Sequence, residues 1–540
     1  MKRILGYCFV FVLLVFTYFG NNNVVNAQET VNARGFGMTP GVETSQTEAL
    51  HAAMRYFYDR GVEGTVYIPA GTYSIDEAVR FHAGVNIVGD GMGQTVLKKT
   101  GSRNNYVVGN PIMNPGSNQL NVTVSNITID GDRTNRANRG LGQIGGMNID
   151  ADVSELYIEN IEVRDVTIGL LLRRLKNSTI ENNHIDRTTG HAMAFGSENH
   201  PVGDVHYNTI RGNLITNSTG GSGINLSRAT HTLVTHNQII NTSQQSDSYG
   251  GIRIPNDGAN NTVEFNTIEN YPRGIFVLTG ATNNTIRNNT VINSRIHGIL
   301  IQANHNTFTN NVIQQLDPSL NPESVIRIAP GSNNEIRNNK IETFASFNNI
   351  GIRVTGDSNQ NNIRDNIIDT SGNAVSIEGG SGNTNTNNTR VVNPIQFDSS
   401  KVYEIVNRNS GKLLEVENAS QGLGANVQQW QRNFHPTQRW FIIRNNDGYY
   451  EIVNQNSNQA LEVYDWDSNN GANIVQWEHH GGTNQQWQIE RNSDGYYTFT
   501  NRFSQKSLEV YDHSLNNGGN VVQWDLLHGL NQQWNIIEMR

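Results

Sequence analysis

Between residues 174 and 257 the chain carries side chains able to hold an anion or move a proton: Arg174, His191, Glu198, His200, Arg228, Tyr249, Arg253 and Asp257. An arginine neutralises a carboxylate, and a tyrosine or histidine takes up and returns a proton. Two carboxyls flanking one bond can act as acid and base. Whether these residues meet depends on the elements that carry them.

Those elements are repeats. One short pattern returns as ENNHI (181–185), RGNLI (211–215), THNQI (235–239), EFNTI (264–268), RNNTV (287–291), TNNVI (309–313), RNNKI (337–341) and RDNII (364–368). The last Asn of each copy lies 22 to 30 residues from the next. Between the copies run GLLL at 169, GINL at 223, GIRI at 251, GIFV at 274, GILI at 298 and GIRV at 351. Each unit is too short to bury a core alone, so the units must stack and share one. Alternating Ile or Val with polar residues gives an inward and an outward face. The repeated Asn fits a left-handed bend, and its amide can bond the Asn above and below. The pattern specifies an all-β solenoid, a right-handed parallel β-helix; β-branched content and Gly/Asn punctuation exclude stacked α-helices.

Aligning the Gly-Ile-x-Ile strands puts Asn148, Leu171, Ala194, Asn225, Arg253, Phe276, Leu300, Arg327 and Arg353 in one outward column. Rungs lie about 4.8 Å apart. In the loop columns just beyond, Arg174, Ser197, Arg228 and Asn256 align, as do Leu175, Glu198, Ala229 and Asp257. His191 and Tyr249 precede their strands, and the loops 197–206 and 241–250 can wall a cleft. Glu198 and Asp257, two rungs apart, would stand about 9–10 Å from each other, which suits an inverting carboxyl pair.

Upstream, TSQTEALHAAMRYFYDRG (44–61) reads as an amphipathic capping helix over about 44–60, starting at Thr44 or Ser45 and stopped by Gly61. VYIPAGTY (66–73), VGDGMGQTVL (88–97) and VSNITIDGDR (124–133) follow. This order resembles the opening of the pectate-lyase-like superfamily, which contains polysaccharide lyases, glycosidases and uronate epimerases. The resemblance covers roughly residues 30–390 and implies the fold, not the reaction. Downstream, VYEIVNRNSGKLLEV (402), YYEIVNQNSNQALEV (449) and YYTFTNRFSQKSLEV (496) open three copies, and the pairs Trp430/Trp440, Trp477/Trp487 and Trp524/Trp534 are each offset by 47. This threefold Q-x-W pattern resembles the ricin-type β-trefoil, a carbohydrate-binding module. The organisation expected is a β-helix catalytic domain over 28–395, a linker at 396–400 and a C-terminal β-trefoil over 401–540.

The trefoil resemblance implies sugar pockets at Glu462, Trp477, Asn484 and Gln485 and at Glu509, Trp524, Asn531 and Gln532. In the first repeat, Glu415 and Trp430 are joined by Thr437 where the others have Asn, which puts that pocket in doubt. The β-helix resemblance implies β-elimination on an acidic, uronate-containing polymer. There, Arg253 or Arg228 would neutralise the carboxylate, Tyr249 or His191 would act as base or acid, and Arg174 and His200 would bind substrate. A glycoside hydrolase using Glu198 and Asp257 is the alternative, although the polygalacturonase Asp-Asp pair is missing. A non-catalytic polysaccharide-binding protein is a third. The Asp-Pro-His-acid motif of uronate epimerases is replaced by GLLLRR (169–174), which counts against that activity.

The remaining composition narrows partners and compartment. Lys2 and Arg3, an apolar run and Val25-Asn26-Ala27 read as a secretory signal over 1–27. Cys8 inside it is the single cysteine, so disulfides and thiolate chemistry are excluded from the remainder. A net charge of −9 with no basic patch argues against nucleic acid. No membrane contact is expected after signal removal, and a monomer is expected. No definite cofactor is indicated; Ca²⁺ is compatible with outward Asp130, Asp150 and Asp257, although no metal-binding spacing is present.

Overall fold

The computed structural model describes residues 28–539 apart from 243–247, 316–319, 321, 344–348, 371, 392–396, 446–448 and 493–494. The segment read as a secretion signal lies outside the described residues, as does 395–396, where the sequence places the end of the β-helix.

Alternation of apolar and polar residues yields short strands that coil into three parallel sheets. The first sheet runs from Thr30–Asn32 and Gly64–Ile68 through Val153–Glu159 and Thr209–Arg211 to Thr384–Thr386. The second runs from Gly71–Ile75 to Thr389–Val391, and the third from Met147–Ile149 to Val375–Ile377. In the second sheet Val163, Ile185, Ile215, Ile239 and Ile268 are successive partners, all buried. Each such side chain contributes about 1.5–3 kcal/mol when fully buried. In the third sheet Asn148, Leu171, Ala194, Asn225, Arg253, Phe276, Leu300, Arg327 and Arg353 form one unbroken column of partners. That is the outward column read from the repeat.

The turn between the first and second sheets carries a buried amide ladder. Asn183 Nδ2 donates to Asn213 Oδ1 at 2.9 Å, Asn213 to Asn237 at 2.8 Å, Asn237 to Asn266 at 2.8 Å and Asn266 to Asn289 at 3.0 Å. It continues through Asn311, Asn339 and Asn366 to Asn388. The sequence reading gave one Asn both the ladder and the left-handed bend; the structure divides these tasks. The preceding residue takes positive φ, as in Asn182 (φ 54), Asn288 (φ 55) and Asn338 (φ 55). This frees the ladder Asn to aim its amide along the axis. A second ladder, unforeseen, enters the first sheet through Asn261, Asn284, Asn306, Asn334, Asn361 and Asn383.

The N-terminal end is capped by the α-helix Thr47–Tyr58, whose buried residues Leu50, Ala53, Met54 and Phe57 form one stripe. It starts three residues after Thr44. Gln46 is held outside the helix because its side-chain amide exchanges hydrogen bonds with the backbone of Thr39, at 2.6 and 2.7 Å. Phe57 lies flat on Gly64, where a Cβ would meet the ring at 2.1 Å.

From Val402 onward the strands are antiparallel, in three similar units. Trp440, Trp487 and Trp534 are fully buried, and their indole N–H groups donate to the carbonyls of Leu414, Leu461 and Leu508. Phe397 sits among Tyr403, Tyr450 and Tyr497, with ring centroids 5.5–5.6 Å away. This unit rests on the second sheet through ions. Arg432 binds Glu404 at 2.6 Å and also Glu269 of the β-helix. Arg491 donates to the Thr343 carbonyl at 3.0 Å and faces Asp369, whose carboxyl burial pushes up to about 6.

Two outcomes test these contacts by chemical denaturation. Asn289→Ala should lower stability by about 1–3 kcal/mol, because its ladder neighbours are left buried and unpaired. Arg432→Ala should cost about 3–5 kcal/mol, since it strands the buried Glu404 and Glu269 carboxylates. An unchanged midpoint would remove either contact from the list of stabilising features.

Candidate functional site

The third sheet presents its outward column on the side not covered by the trefoil-like unit. Strand Gly250–Ile254 buries Ile252 and Ile254 and turns Arg253 out between Asn225 and Phe276. Arg253 is half-buried, with Nη1 3.5 Å from Asn225 Oδ1 and its carbon 5.8 Å from the centre of the Phe276 ring. Its Nε is buried without a hydrogen bond. Burial holds the guanidinium below its ordinary range, and neighbouring Tyr249 works the other way.

Tyr249 and His191 meet edge to face, with ring centroids 5.3 Å apart. The Ser222 backbone N–H donates to His191 Nδ1 at 2.8 Å. A neutral His191 therefore carries its proton on Nε2 and offers a donor there. Burial, with the Arg253 charge second, pushes this imidazole down to about 4. The sequence reading left His191 open as base or acid; the geometry makes it a neutral hydrogen-bond donor.

A second group lies at the loop flank. Arg174 faces Asp204 at 3.2 Å and Asp152 at 3.8 Å. His200 Nε2 lies 2.8 Å from Asp150, which also pairs with Arg173 at 3.0 Å. Arg228 donates from Nη1 to the His200 carbonyl at 2.6 Å. Arg174 and His200 are thus brought together through Asp150, Asp152 and Asp204, which the sequence reading did not pair with them, and Arg228 joins them through the His200 carbonyl. Their signal was the Asp-Ala-Asp run at 150–152 facing Arg173-Arg174 one rung on. Glu198 and Asp257 are exposed and join neither group. His297, two rungs beyond Gly250, was also missed. It is buried, neutral down to about 4, and bonds the Ser324 carbonyl through Nδ1.

The three carboxylates considered for calcium are dispersed and are not grouped with one another. Asp130 is paired with Arg164 at 3.0 Å, Asp150 with Arg173 and His200, and Asp257 stands apart. Among the described residues, no group of three or more His, Cys, Asp or Glu is placed to hold a metal ion.

In the trefoil-like unit, Glu462 accepts from Gln485 at 2.7 Å and lies 2.9 Å from His480 Nε2. Asn484 is buried and donates to the Val463 carbonyl at 3.2 Å. Half-buried Trp477 stands beside Tyr464, and exposed Trp466 stacks on His480. Glu509 accepts from Gln532 at 2.8 Å, with Trp524 beside Tyr511, and Asn531 donates to the Val510 carbonyl at 3.0 Å. The glutamines thus position the pocket acids, and Tyr464, Trp466 and Tyr511 are aromatic surfaces the sequence reading overlooked. In the first repeat, a cavity of about 420 Å³ is lined by Glu415, Trp430, Asn433, His435 and Thr437. The turn equivalent to Tyr464–Trp466 is Glu417–Ala419, without an aromatic.

A three-sheet parallel coil with Asn ladders, followed by a threefold antiparallel unit with buried Q-x-W tryptophans, defines a β-helix joined to a β-trefoil. Residues 30–253 match the family described as rhamnogalacturonase A/epimerase, pectate lyase-like, and 203–343 match the right-handed β-helix region. Residues 395–477 and 483–540 match the ricin-type β-trefoil lectin domain-like family. Its first part is thus similar to the pectate-lyase-like right-handed β-helices, and its C-terminal part to ricin-type lectin domains. Mannuronan C5-epimerase AlgE1 of Azotobacter vinelandii is 29% identical over 156 residues, 27% of this chain and 11% of that protein. Alginate lyase 7 of the same organism is 27% identical over 224 residues, 38% of this chain and 24% of that protein. The chain therefore spans between a tenth and a quarter of these relatives. The designed 3-fold symmetric protein ThreeFoil is 41% identical over 26% of this chain and 99% of its own, with a TM-score of 0.25.

The His191 environment gives a direct test. Its folded value near 4 lies below the ordinary 6.5, so the unfolded chain protonates first as pH falls. This contribution to stability is complete above 6.5 and is lost between 6.5 and 4. Imidazole NMR should place the His191 midpoint near 4, and Arg253→Ala should move it upward by removing a nearby cation. A wild-type midpoint near 6.5, or no movement in the variant, contradicts the arrangement.

Proposed function

We propose that the chain is a secreted enzyme that modifies a uronate polymer on the outward face of its third sheet, with β-elimination as its reaction. The observation that carries this reading is Arg253: a half-buried guanidinium paired with no carboxylate among the described residues, beside Tyr249 and a neutral His191. Proton loss from C5 of a uronate places negative charge on the adjoining carboxylate. A preorganised cation with a neutral donor beside it is suited to stabilise that charge. In this reading Arg253 and the His191 Nε2–H hold the carboxylate. Tyr249 takes the C5 proton as phenolate and returns it to the glycosidic oxygen as the C4–O bond breaks. The C5–H electron pair becomes the C4–C5 double bond. Matches to an enzyme named alginate lyase and to mannuronan epimerases support a uronate polymer as substrate. The trefoil pockets support capture of the polymer, several weak sites adding through avidity.

Epimerisation is the second reading, favoured by the AlgE1 match. It shares the first proton transfer and differs in returning a proton to the opposite face of C5. The position of the epimerase motif is filled here by Leu170–Leu172 and the arginines after it, with all three leucines buried. Hydrolysis would need Glu198 and Asp257, both solvent-facing.

Incubation with alginate, pectate and glycosaminoglycans separates the readings. A lyase produces ultraviolet absorbance from the new double bond, an epimerase exchanges C5 hydrogen with solvent without cleavage, and a hydrolase gives reducing ends without absorbance. Arg253→Ala should lower kcat by about 10²–10³-fold with the fold intact. Near-normal turnover in that variant would move the site elsewhere.

A further inference from the structure

The first sheet is flanked by two columns of turn residues with positive φ. In the column before the strands stand Asn177, Asn260, Asn283, His305, Asn333 and Gln360; in the column after them stand Asn182, Asn288, Asn310, Asn338, Asp365 and Asn387. These are the residue types that tolerate a left-handed backbone. On three consecutive rungs the pattern breaks. Tyr207 (φ 54) and His231 (φ 49) occupy the first column, and His236 (φ 55) and Phe265 (φ 54) the second. Histidine is tolerated in this conformation, but Tyr207 and Phe265 are poorly suited to it, and residues held in such a state point towards a role in function.

The four rings face solvent. Tyr207 is 59% exposed and Phe265 48%, and both histidines are exposed. Tyr207 and His231 lie 5.1 Å apart with planes inclined by 34°. His236 and Phe265 stack at 5.2 Å and 24°. Registered strands Thr209–Arg211, Leu233–Thr235 and Thr262–Glu264 run between the two pairs. Their outward residues are largely polar: Thr209, Thr262, Glu264 and Arg211. Tyr207 and Phe265 are two rungs apart, about 10 Å along the axis.

We infer that this strip of the first sheet is a surface polysaccharide-binding site, separate from the candidate active face on the third sheet. A large contiguous apolar patch would mark a protein interface. Two flat ring pairs separated by hydroxyl and charged groups instead match a pyranose polymer, whose apolar ring faces alternate with equatorial hydroxyls. Aromatic faces supply the apolar contact, and Thr209, Thr262, Glu264 and Arg211 supply hydrogen bonds. The strip would hold a length of the polymer outside the cleft. The inference rests on the reading of the chain as acting on a polysaccharide.

The test is the double variant Tyr207→Asn, Phe265→Asn in the full chain. Asn is the commonest residue of both columns and is at ease in this conformation, so the variant should melt at the same temperature as wild type or higher. Retardation in native gels containing alginate or polygalacturonate should fall about fivefold or more, with turnover of a short soluble oligosaccharide unchanged. Hydroxyl-radical footprinting should show Tyr207 and Phe265 protected by the polymer that retards the wild type. Equal retardation of both proteins on both polymers, or protection of Trp477 and Trp524 but not of Tyr207 and Phe265, overturns the inference. Unchanged oligosaccharide turnover with lost retardation keeps it distinct from the proposed reaction, which stands or falls with Arg253.

Discussion

A side-chain amide that donates to the next rung and accepts from the previous one is the contact on which the solenoid depends. Each turn of the coil leaves backbone groups buried at a corner where no strand can pair them. Asn289 satisfies several at once: its Nδ2 reaches Asn311 Oδ1 and the carbonyls of Val263 and Arg287, while its Oδ1 accepts from Asn266. The register of the ladder fixes the register of the strands that leave it. Because side chains alternate with period two, a slip of one residue would turn the whole outward column of the third sheet inward. Arg253 faces out because the corner asparagines do not slip.

The same regularity explains what could be read from the residues. Ladder positions, core columns and the order of Asn225, Arg253 and Phe276 follow from a repeat with fixed corners, and all were legible. The second ladder was hidden because Ser178 and Thr232 interrupt its asparagines, each still bonded through its backbone N–H to the Asn of the next rung. The helix start was obscured by Gln46, whose contacts with Thr39 are tertiary. At the candidate site, the closeness of Arg253, Tyr249 and His191 follows from the columns, whereas the pairing of Arg174 with Asp204 and of His200 with Asp150 does not. Loop 197–206 has no periodicity to project, so its contacts follow from a path the repeat does not encode. The tautomer of His191 was likewise invisible, being set by one backbone N–H at Ser222.

Charge is used differently on the three faces. Against the second sheet, Arg432 and Arg491 meet carboxylates and are satisfied there. On the third sheet, Arg253 is half-buried with a donor held back from any protein acceptor. On the first sheet, Arg211 and Arg287 pair with Glu181 and Glu264 and leave aromatic rings as the distinctive groups. One sheet is spent on docking, one presents an electrostatically unfinished surface, and one presents ring faces.

The Arg432 bridge has a mechanical consequence. A lectin module on a flexible tether explores a volume, and the benefit of capture is then set by an effective concentration that falls with tether length. Here the guanidinium is shared between Glu404 of the module and Glu269 of the solenoid, and Arg491 adds a second fixed point. The module behaves as a bracket bolted to the coil. On the proposed reading, a polymer held by it would meet the rest of the molecule at a set angle and distance, with reach decided by geometry and not by diffusion.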